Sequence, residues 1–567
     1  MASNGCAVRE QSPSANDHMH SDTESNADSF DVEDSPILSP RPRWSKFQFV
    51  VIIAAILMSN FSTAFDASLS ASTHVAVASA FNRTNVSTWP VNVFYITSMT
   101  TQPIYARVSD HIGRKIPYLV ASATFLFGLV LSANAFSWVT LVIARAICGL
   151  GIAGVMAMGS IILTDAVGVG KRGYYQSVNY VTYGSGSAIG SGIGGLLVQR
   201  FGWAWVYKSQ IPGAICALLL VVSMPSLKMA HIDDMAALRQ PKSSDGLRNY
   251  DWLGSLWLIS ALLSLFITLN TGALPWSNKF AILSATSMAI FTTLFLRVEK
   301  KAKKPILPLD LLFKFPTRNI LVAGFLFSVI NYMIMYNTTI FFQTVHLESM
   351  QAAGTRLVLP SIVFSISSVL SGSLIAKWKT PAYTLCFSQG LLLVGTSGVV
   401  VAAGVFSQYK VPSFVYNFML TLPAFAVGMM APSTVLTLLN TVSHDEHAVA
   451  NGSLNMVRAM GVFIATALST AVSQNVLNIC IAARNYDAAT LTKIKAVRQN
   501  VELILSLEEP LRSEVVGFYT RACTTVFNLC TFGALIIIMS LANVKMEAFK
   551  KEETYEMKEA HEKEEPI

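Results

Sequence analysis

The sequence predicts an all-α integral membrane protein of about fourteen transmembrane helices, and three observations carry that prediction. Of its 567 residues 52% are hydrophobic and only 13% are charged, with a mean hydropathy of +0.49, so the chain is far more apolar than a soluble domain. About fourteen apolar stretches are each long enough to cross a hydrocarbon core as a helix. Lys and Arg concentrate in alternate short connections between those stretches, as membrane topology requires. The formal charge of +8 therefore reports topology rather than a nucleic-acid partner.

The first 46 residues, rich in Ser, Asp, Asn and Pro, cannot bury a core and are expected to be a disordered cytosolic tail without a cleavable signal peptide. Spans follow near 47–70, 90–108, 117–136, 139–163, 177–198 and 209–225, giving an N-terminal unit over 47–225. A polar linker at 226–250 precedes two further spans, near 251–272 and 279–297, and a basic linker at 298–318 follows them. Six more spans, near 319–343, 355–377, 382–404, 413–438, 449–475 and 514–543, make a C-terminal unit over 319–543. Residues 544–567 form a charged tail. An even number of spans places both tails on one side. Arg114, Lys115, Lys171, Arg172, Lys300, Lys301, Lys303 and Lys304 mark that side as cytosolic.

The sequons at Asn82 and Asn85 fall in the first connection on the opposite side, where glycosylation is expected. Asn337 and Asn451 also begin sequons, but one lies in or near span nine and the other on the cytosolic side, so neither is expected to be used. The connection near 478–513 mixes apolar and charged residues, as a short surface helix would. Trp44, Trp89, Trp138 and Trp276 sit at span boundaries as interfacial anchors.

The seven cysteines form no CxxC pair and mostly lie in apolar runs, so neither a disulfide framework nor a metal site is assigned. His444, Asp445, Glu446 and His447 resemble a metal cluster in composition only and are expected to be a solvated turn. His74, just past the end of span one, is either a pH sensor or ordinary polar trim at a helix end. No nucleophile, phosphate loop or cofactor motif stands out, which argues against an enzyme and predicts no cofactor.

The stretch from Ala106 to Lys115, ARVSDHIGRK, places Asp110, Arg114 and Lys115 in a short loop between spans two and three. Such a turn can be solvated, can dock on neighbouring helix ends, and can break and re-form as a transporter rocks. It resembles the GxxxDxxGRK loop of the major facilitator superfamily, with Ala106 and His111 as departures. Span four carries Arg145 in RAICGLG, similar to the family's RxxxGxG element. Span five runs from Gly186 through Gly190 to Gly194 and Gly195, resembling the antiporter signature GxxxGPxxGG with Ser191 in place of proline. Phe65-Asp66-Ala67-Ser68 is similar to the LDxT element of the fourteen-spanner drug:proton antiporters, and Gly202-Trp203-Ala204-Trp205 echoes their GWRW turn. The resemblance implies two six-helix bundles, spans one to six and nine to fourteen, around an inserted pair, with substrate bound between them. Residues 372–379, GSLIAKWK, stand where the second half would repeat the gating loop.

Asp66 is an acid within an apolar helix, where charge is expensive, and such residues mark proton pathways. It is the candidate proton carrier, in exchange with substrate or with Arg145; the alternative is a fixed structural ion pair. Arg145 either organises helices one and five or tunes the proton site. Asn455 and Arg458 either line the cavity from the second half, or Arg458 snorkels to the cytosolic interface. Gly186, Gly190, Gly194 and Gly195 are candidates for close helix packing. The resemblance implies that Asp110 docks on the start of span thirteen near Ala450 and latches the outward-open state.

Residues 33–38, EDSPIL, look like an acidic dileucine sorting element, associated in fungal transporters with delivery to the vacuole. RAICGLG, QPIYARVSDHIGRK and the turn from Gln210 to Gly213 look most similar to fungal vacuolar basic amino acid transporters. The function expected is a proton-coupled antiporter of basic amino acids. A plasma-membrane multidrug:proton exporter and a transporter-like nutrient sensor are the alternatives. The expected partners are a small-molecule substrate, protons and membrane lipid, with the chain acting as a monomer.

Overall fold

In the computed structural model, residues 45–167, 172–225, 252–271, 279–301, 312–378, 381–405, 413–442, 447–484 and 486–542 are described, and every regular element among them is helical. The first helix, α1 (Lys46–Ala80), starts where the Ser45 hydroxyl accepts from Gln48 N and the Gln48 side chain accepts from Ser45 N, a reciprocal cap. It is followed by α2 (Trp89–Ile112), α3 (Lys115–Ala133), α4 (Trp138–Ala166), α5 (Arg172–Phe201), the short α6 (Trp205–Lys208) and α7 (Ile211–Ser223). Next come α8 (Trp252–Thr271) and α9 (Lys279–Glu299). The second half contains α10 (Thr317–Thr344), the short α11 (Met350–Thr355), α12 (Val358–Trp378), α13 (Pro381–Gly404), α14 (Ser413–Thr441), α15 (His447–Ala482), α16 (Ala488–Gln499) and α17 (Leu511–Ala542).

Each predicted span is met by a helix, and among the described residues eleven are long and apolar enough to cross a membrane. α2 and α5 fall below that hydropathy standard, while α8 is apolar but shorter, over Leu253–Leu269. For α2 and α5 the cause is chemical: they carry Asn92, Thr97, Thr100, Tyr183, Ser187 and Ser191, whose polar groups turn toward other helices rather than lipid. Hydroxyls in such positions donate to carbonyls one turn back, as Thr100 does to Ile96, and so stay satisfied inside the membrane.

The packing repeats. α1 lies against α5, α4 and α7, while α3 packs on α4 and α7; likewise α10 lies against α15, α14 and α17, while α13 packs on α14 and α17. α8 and α9 pair with each other, and α8 touches α2 and α15. Between the halves, α5 packs on α11 and α12, α2 on α15, and α1 on α10. Counting alternate chain directions, the ends can be named: the near end holds Lys46 and Ala542, the far end Ala80 and Leu511.

At the far end the halves are bonded together. Asn92 accepts from the Thr466 hydroxyl at 2.7 Å, Thr88 and Thr470 share a bond at 2.9 Å, and Thr339 donates to the Ala71 carbonyl at 3.2 Å. Over them lies a strap formed by α16 and the 3-10 turn Val501–Ser506. Its Ile494, Val497, Val501 and Ile504 pack on Val75 of α1 and Leu477 of α15. The strap also touches the first half directly, through Ser79 to Asn500 at 2.6 Å and Thr84 to the Gln499 carbonyl at 2.5 Å.

Three expectations need correction. Ala106 to Ile112 is not loop but the last turns of α2, so the connection to α3 contains only Gly113 and Arg114. Gly113 adopts φ 86°, the left-handed conformation that lets the chain turn within so few residues. His74 is not trim at a helix end but lies 5% exposed within α1, which continues to Ala80. Arg458 does not snorkel; it is held among helices, as described below. The tails 1–44 and 543–567, the residues 226–251 and 302–311, and His444 to Glu446 lie outside the described residues.

Candidate functional site

Where α1 and α4 face each other, the two charges embedded in the first half meet. Arg145 Nη1 donates to Asp66 Oδ1 and Nη2 to Oδ2, both at 2.8 Å, with each side chain only 2% exposed. This fork-to-fork geometry satisfies both carboxylate oxygens and fixes their plane. The guanidinium also lies 4.5 Å from the Phe94 ring centre and 5.7 Å from that of Tyr207, so aromatic faces cover the charge where water is excluded. Removing one partner from such a pair would leave an uncompensated buried charge and cost about 3–5 kcal/mol. A proton arriving at Asp66 would have to displace an arginine hydrogen bond, so protonation and pairing compete for the same oxygens.

The glycine face of α5 lets this assembly close. A Cβ at Gly186 would lie 2.6 Å from the Phe61 carbonyl oxygen and one at Gly190 2.7 Å from that of Phe65, the residue before Asp66. At Gly194 a Cβ would overlap the Ser72 hydroxyl. Gly195 faces elsewhere: its Cβ would overlap Gln351 of α11, across the interface between halves. Ser191, fully buried, donates to the Ala188 carbonyl at 3.1 Å within an uninterrupted α5.

Around the α2–α3 connection, Arg114 is 8% exposed and donates to the Ser109 hydroxyl at 2.5 Å. Lys115 donates to the Met224 carbonyl at the end of α7. These bonds tie the connection to its own half; Asp110 lies in the last turns of α2, and its side chain is outside the described residues. In the second half, Arg458 of α15 donates from Nη2 to the Ala431 carbonyl at 3.0 Å and lies 5.2 Å from the Phe327 ring centre, while its Nε is buried without a partner. Asn455 is half-buried one turn earlier. Asn82 is exposed and Asn85 half-buried at the far end, whereas Asn337 is buried in α10 and donates to the Met333 carbonyl.

Sequence reasoning missed an aromatic cluster between the halves. Tyr95 of α2 and Tyr332 of α10 have ring centres 6.0 Å apart, the Tyr183 hydroxyl of α5 is 3.3 Å from that of Tyr332, and Tyr332 stacks toward Tyr336 at 6.5 Å. His74 lies edge-on to Tyr336 at 5.0 Å. Aromatic residues are common in apolar spans, so only the helix order brings these four tyrosines into view as one group.

Comparison with known proteins agrees with this architecture. The family model described as Major Facilitator Superfamily matches residues 49–466. Multidrug resistance protein fnx1 of Schizosaccharomyces pombe is 28% identical over 90% of this chain and 95% of its own length. Vacuolar basic amino acid transporter 2 of Saccharomyces cerevisiae is 25% identical over 69% of this chain and 82% of its own. Among solved structures, a bacterial homologue of the human lysosomal transporter Spinster superposes with a TM-score of 0.58 at 14% identity, covering 88% of this chain and 97% of that one, a likeness of fold alone. With a matched segment that spans both helical halves, the chain belongs to the Major Facilitator Superfamily, and it is an integral membrane transporter rather than an enzyme.

Proposed function

We propose that the chain is a proton-coupled antiporter that moves basic amino acids across the vacuolar membrane. The observation that carries the reading is the buried bidentate pair between Asp66 and Arg145. A proton reaching Asp66 from the acidic side releases Arg145 and weakens the contact of α1 with α4; loss of the proton on the other side restores it. Substrate occupies the space between a first unit over 47–225 and a second over 319–543, with the pair over 251–297 outside both. The tails face the cytosol, as the Lys and Arg distribution supports. Asn82 and Asn85 then face the lumen and carry glycans. Asp110, Arg114 and Lys115 gate the near end, while Gly186, Gly190 and Gly194 keep α5 on α1. The relative named a vacuolar basic amino acid transporter supports the substrate class.

A second reading, a plasma-membrane multidrug:proton exporter, is supported by the relative named a multidrug resistance protein, which aligns over 90% of this chain. Uptake into vacuolar vesicles separates the two readings. ATP-dependent accumulation of lysine, arginine and histidine that collapses with a protonophore supports the antiporter of basic amino acids. Drug sensitivity in the deletion strain without such uptake supports the exporter, and uptake indifferent to the gradient defeats both.

A further inference from the structure

We propose that His74 Nε2 is a second proton-binding site of the transport cycle, filled only when the far end opens, and that its occupancy decides whether that end can close again. The inference deepens the proton-coupled reading and takes from it only the use to which the proton is put.

The tautomer follows from geometry. His74 Nδ1 lies 3.0 Å from the Ala71 carbonyl, which can only accept, so Nδ1 carries the hydrogen and Nε2 presents a bare lone pair. Among the described residues that lone pair is buried with no hydrogen-bond partner, and so is the hydroxyl of Tyr336 against which the ring rests. Two unsatisfied polar atoms on touching side chains, 5% and 1% exposed, are costly in a folded interior and call for a role.

The surroundings define when Nε2 is reachable. His74 sits at the contact of α1 with α10, where Ala71 also accepts from Thr339 across the two halves. The neighbouring Val75 lies beneath the strap residues Ile494, Val497, Val501 and Ile504. The cover over the ring, Tyr336 of α10, belongs to the second half, so parting the halves at the far end exposes it. Ala80, the end of α1, lies six residues beyond His74, about 9 Å of helix, so far-side water has a short way to come.

Among the described residues no carboxylate is hydrogen-bonded or ion-paired to the ring. From α10 the titratable neighbour is Tyr336, with Tyr332 behind it, and α2 contributes Tyr95 to the same cluster. α5 and α11 bring Gly194 and Gly354 onto the adjacent Ser72, while Arg145 of α4 and Tyr207 of α6 lie within electrostatic reach of Tyr336. Arg498 of the strap is held by Gln474 and Asn478 of α15. The nearest acid on α1 itself, Asp66, is two turns away and bonded to Arg145. When Nε2 takes a proton from far-side water, an N–H bond forms and the ring gains one positive charge. Reburial against Tyr336 would then strand an unpaired cation, so closure requires that the same bond break and the proton leave.

The test is the distance between spin labels at Arg83→Cys and Ala489→Cys, both exposed and on opposite halves, in full-length protein whose native cysteines are replaced. Between pH 7 and 5 the far-open population should rise, by at most about tenfold per pH unit because one proton is bound. His74→Gln should remove the larger part of that rise. A His74→Gln profile that superimposes on the parent overturns the site. If His74→Gln yields no folded protein, Tyr336→Phe keeps the imidazole but removes the unpaired hydroxyl that the closed state buries, so closure gains and the midpoint of opening should move to lower pH; an unmoved midpoint overturns the proposal. Gradient-insensitive uptake by the parent protein would instead sink the coupling reading, whatever the labels show.

Discussion

The two halves share one helix plan but treat buried charge differently. In the first, Arg145 is paired with Asp66 through two bonds of 2.8 Å. In the second, Arg458 has a carbonyl and an aromatic face as neighbours, and no acid pairs with it among the described residues. A carboxylate has a protonated form, which a carbonyl lacks, while an arginine keeps its charge. Under the proposed coupling the exchangeable proton therefore belongs to the first half and a permanent charge to the second.

Breaking the pair should therefore have the largest effect. Arg145→Ala strands the Asp66 carboxylate and should lower stability by about 3–5 kcal/mol, seen as loss of the monodisperse peak in detergent and of protein from the membrane. Asp66→Asn keeps the volume but offers Arg145 one acceptor in place of two and no countercharge, so protein should persist at reduced stability while pH-driven uptake vanishes. Arg458→Ala removes one bond to a carbonyl and should cost about 1–3 kcal/mol, with gradient-driven uptake retained. Loss of coupling in Arg458→Ala would undo the contrast between halves.

Next in size are the glycines. Gly190→Ala pushes into the Phe65 carbonyl within the first half, and overpacking of this kind costs about 1–3 kcal/mol. Gly195→Ala instead meets Gln351 across the halves, so it should spare thermal stability and shift cysteine accessibility toward a far-open state. Equal losses of stability in both variants would contradict the separation of the two contacts. Asp110→Ala should shift the population inward if its side chain latches the near end, and unchanged accessibility of cysteine probes on both faces would refute the latch. The smallest effect is expected at the sequons: Asn82→Gln with Asn85→Gln should abolish a glycosidase-sensitive band shift and leave uptake unchanged.

Much of the fold was legible because apolar length and basic connections are direct consequences of the bilayer. Boundaries failed where polar residues stay helical by bonding to their own backbone. Ser72 and Thr73 both donate to the Leu69 carbonyl, so α1 continues through a stretch that hydropathy reads as its end, and His74 is carried inside. The charges of ARVSDHIGRK suggested a loop, yet Arg114 finds Ser109 and Lys115 finds Met224, and α2 persists to Ile112. Asp66 and Arg145 were each visible as intramembrane charges. Their pairing across 79 positions of sequence, and the meeting of Tyr95, Tyr183, Tyr332 and Tyr336 from three helices, are products of tertiary packing alone.

The strap over the far end is spliced into the second half at both its roots, α15 and α17, yet rests on the first half through Ser79 and Thr84. Its fastening on the first half thus falls at the last turn of α1 and the short turn beyond it. Variants at Thr84 or Asn500 loosen this clasp while leaving the Asp66–Arg145 pair in place, and so report how tightly the sealed end holds back passive leakage.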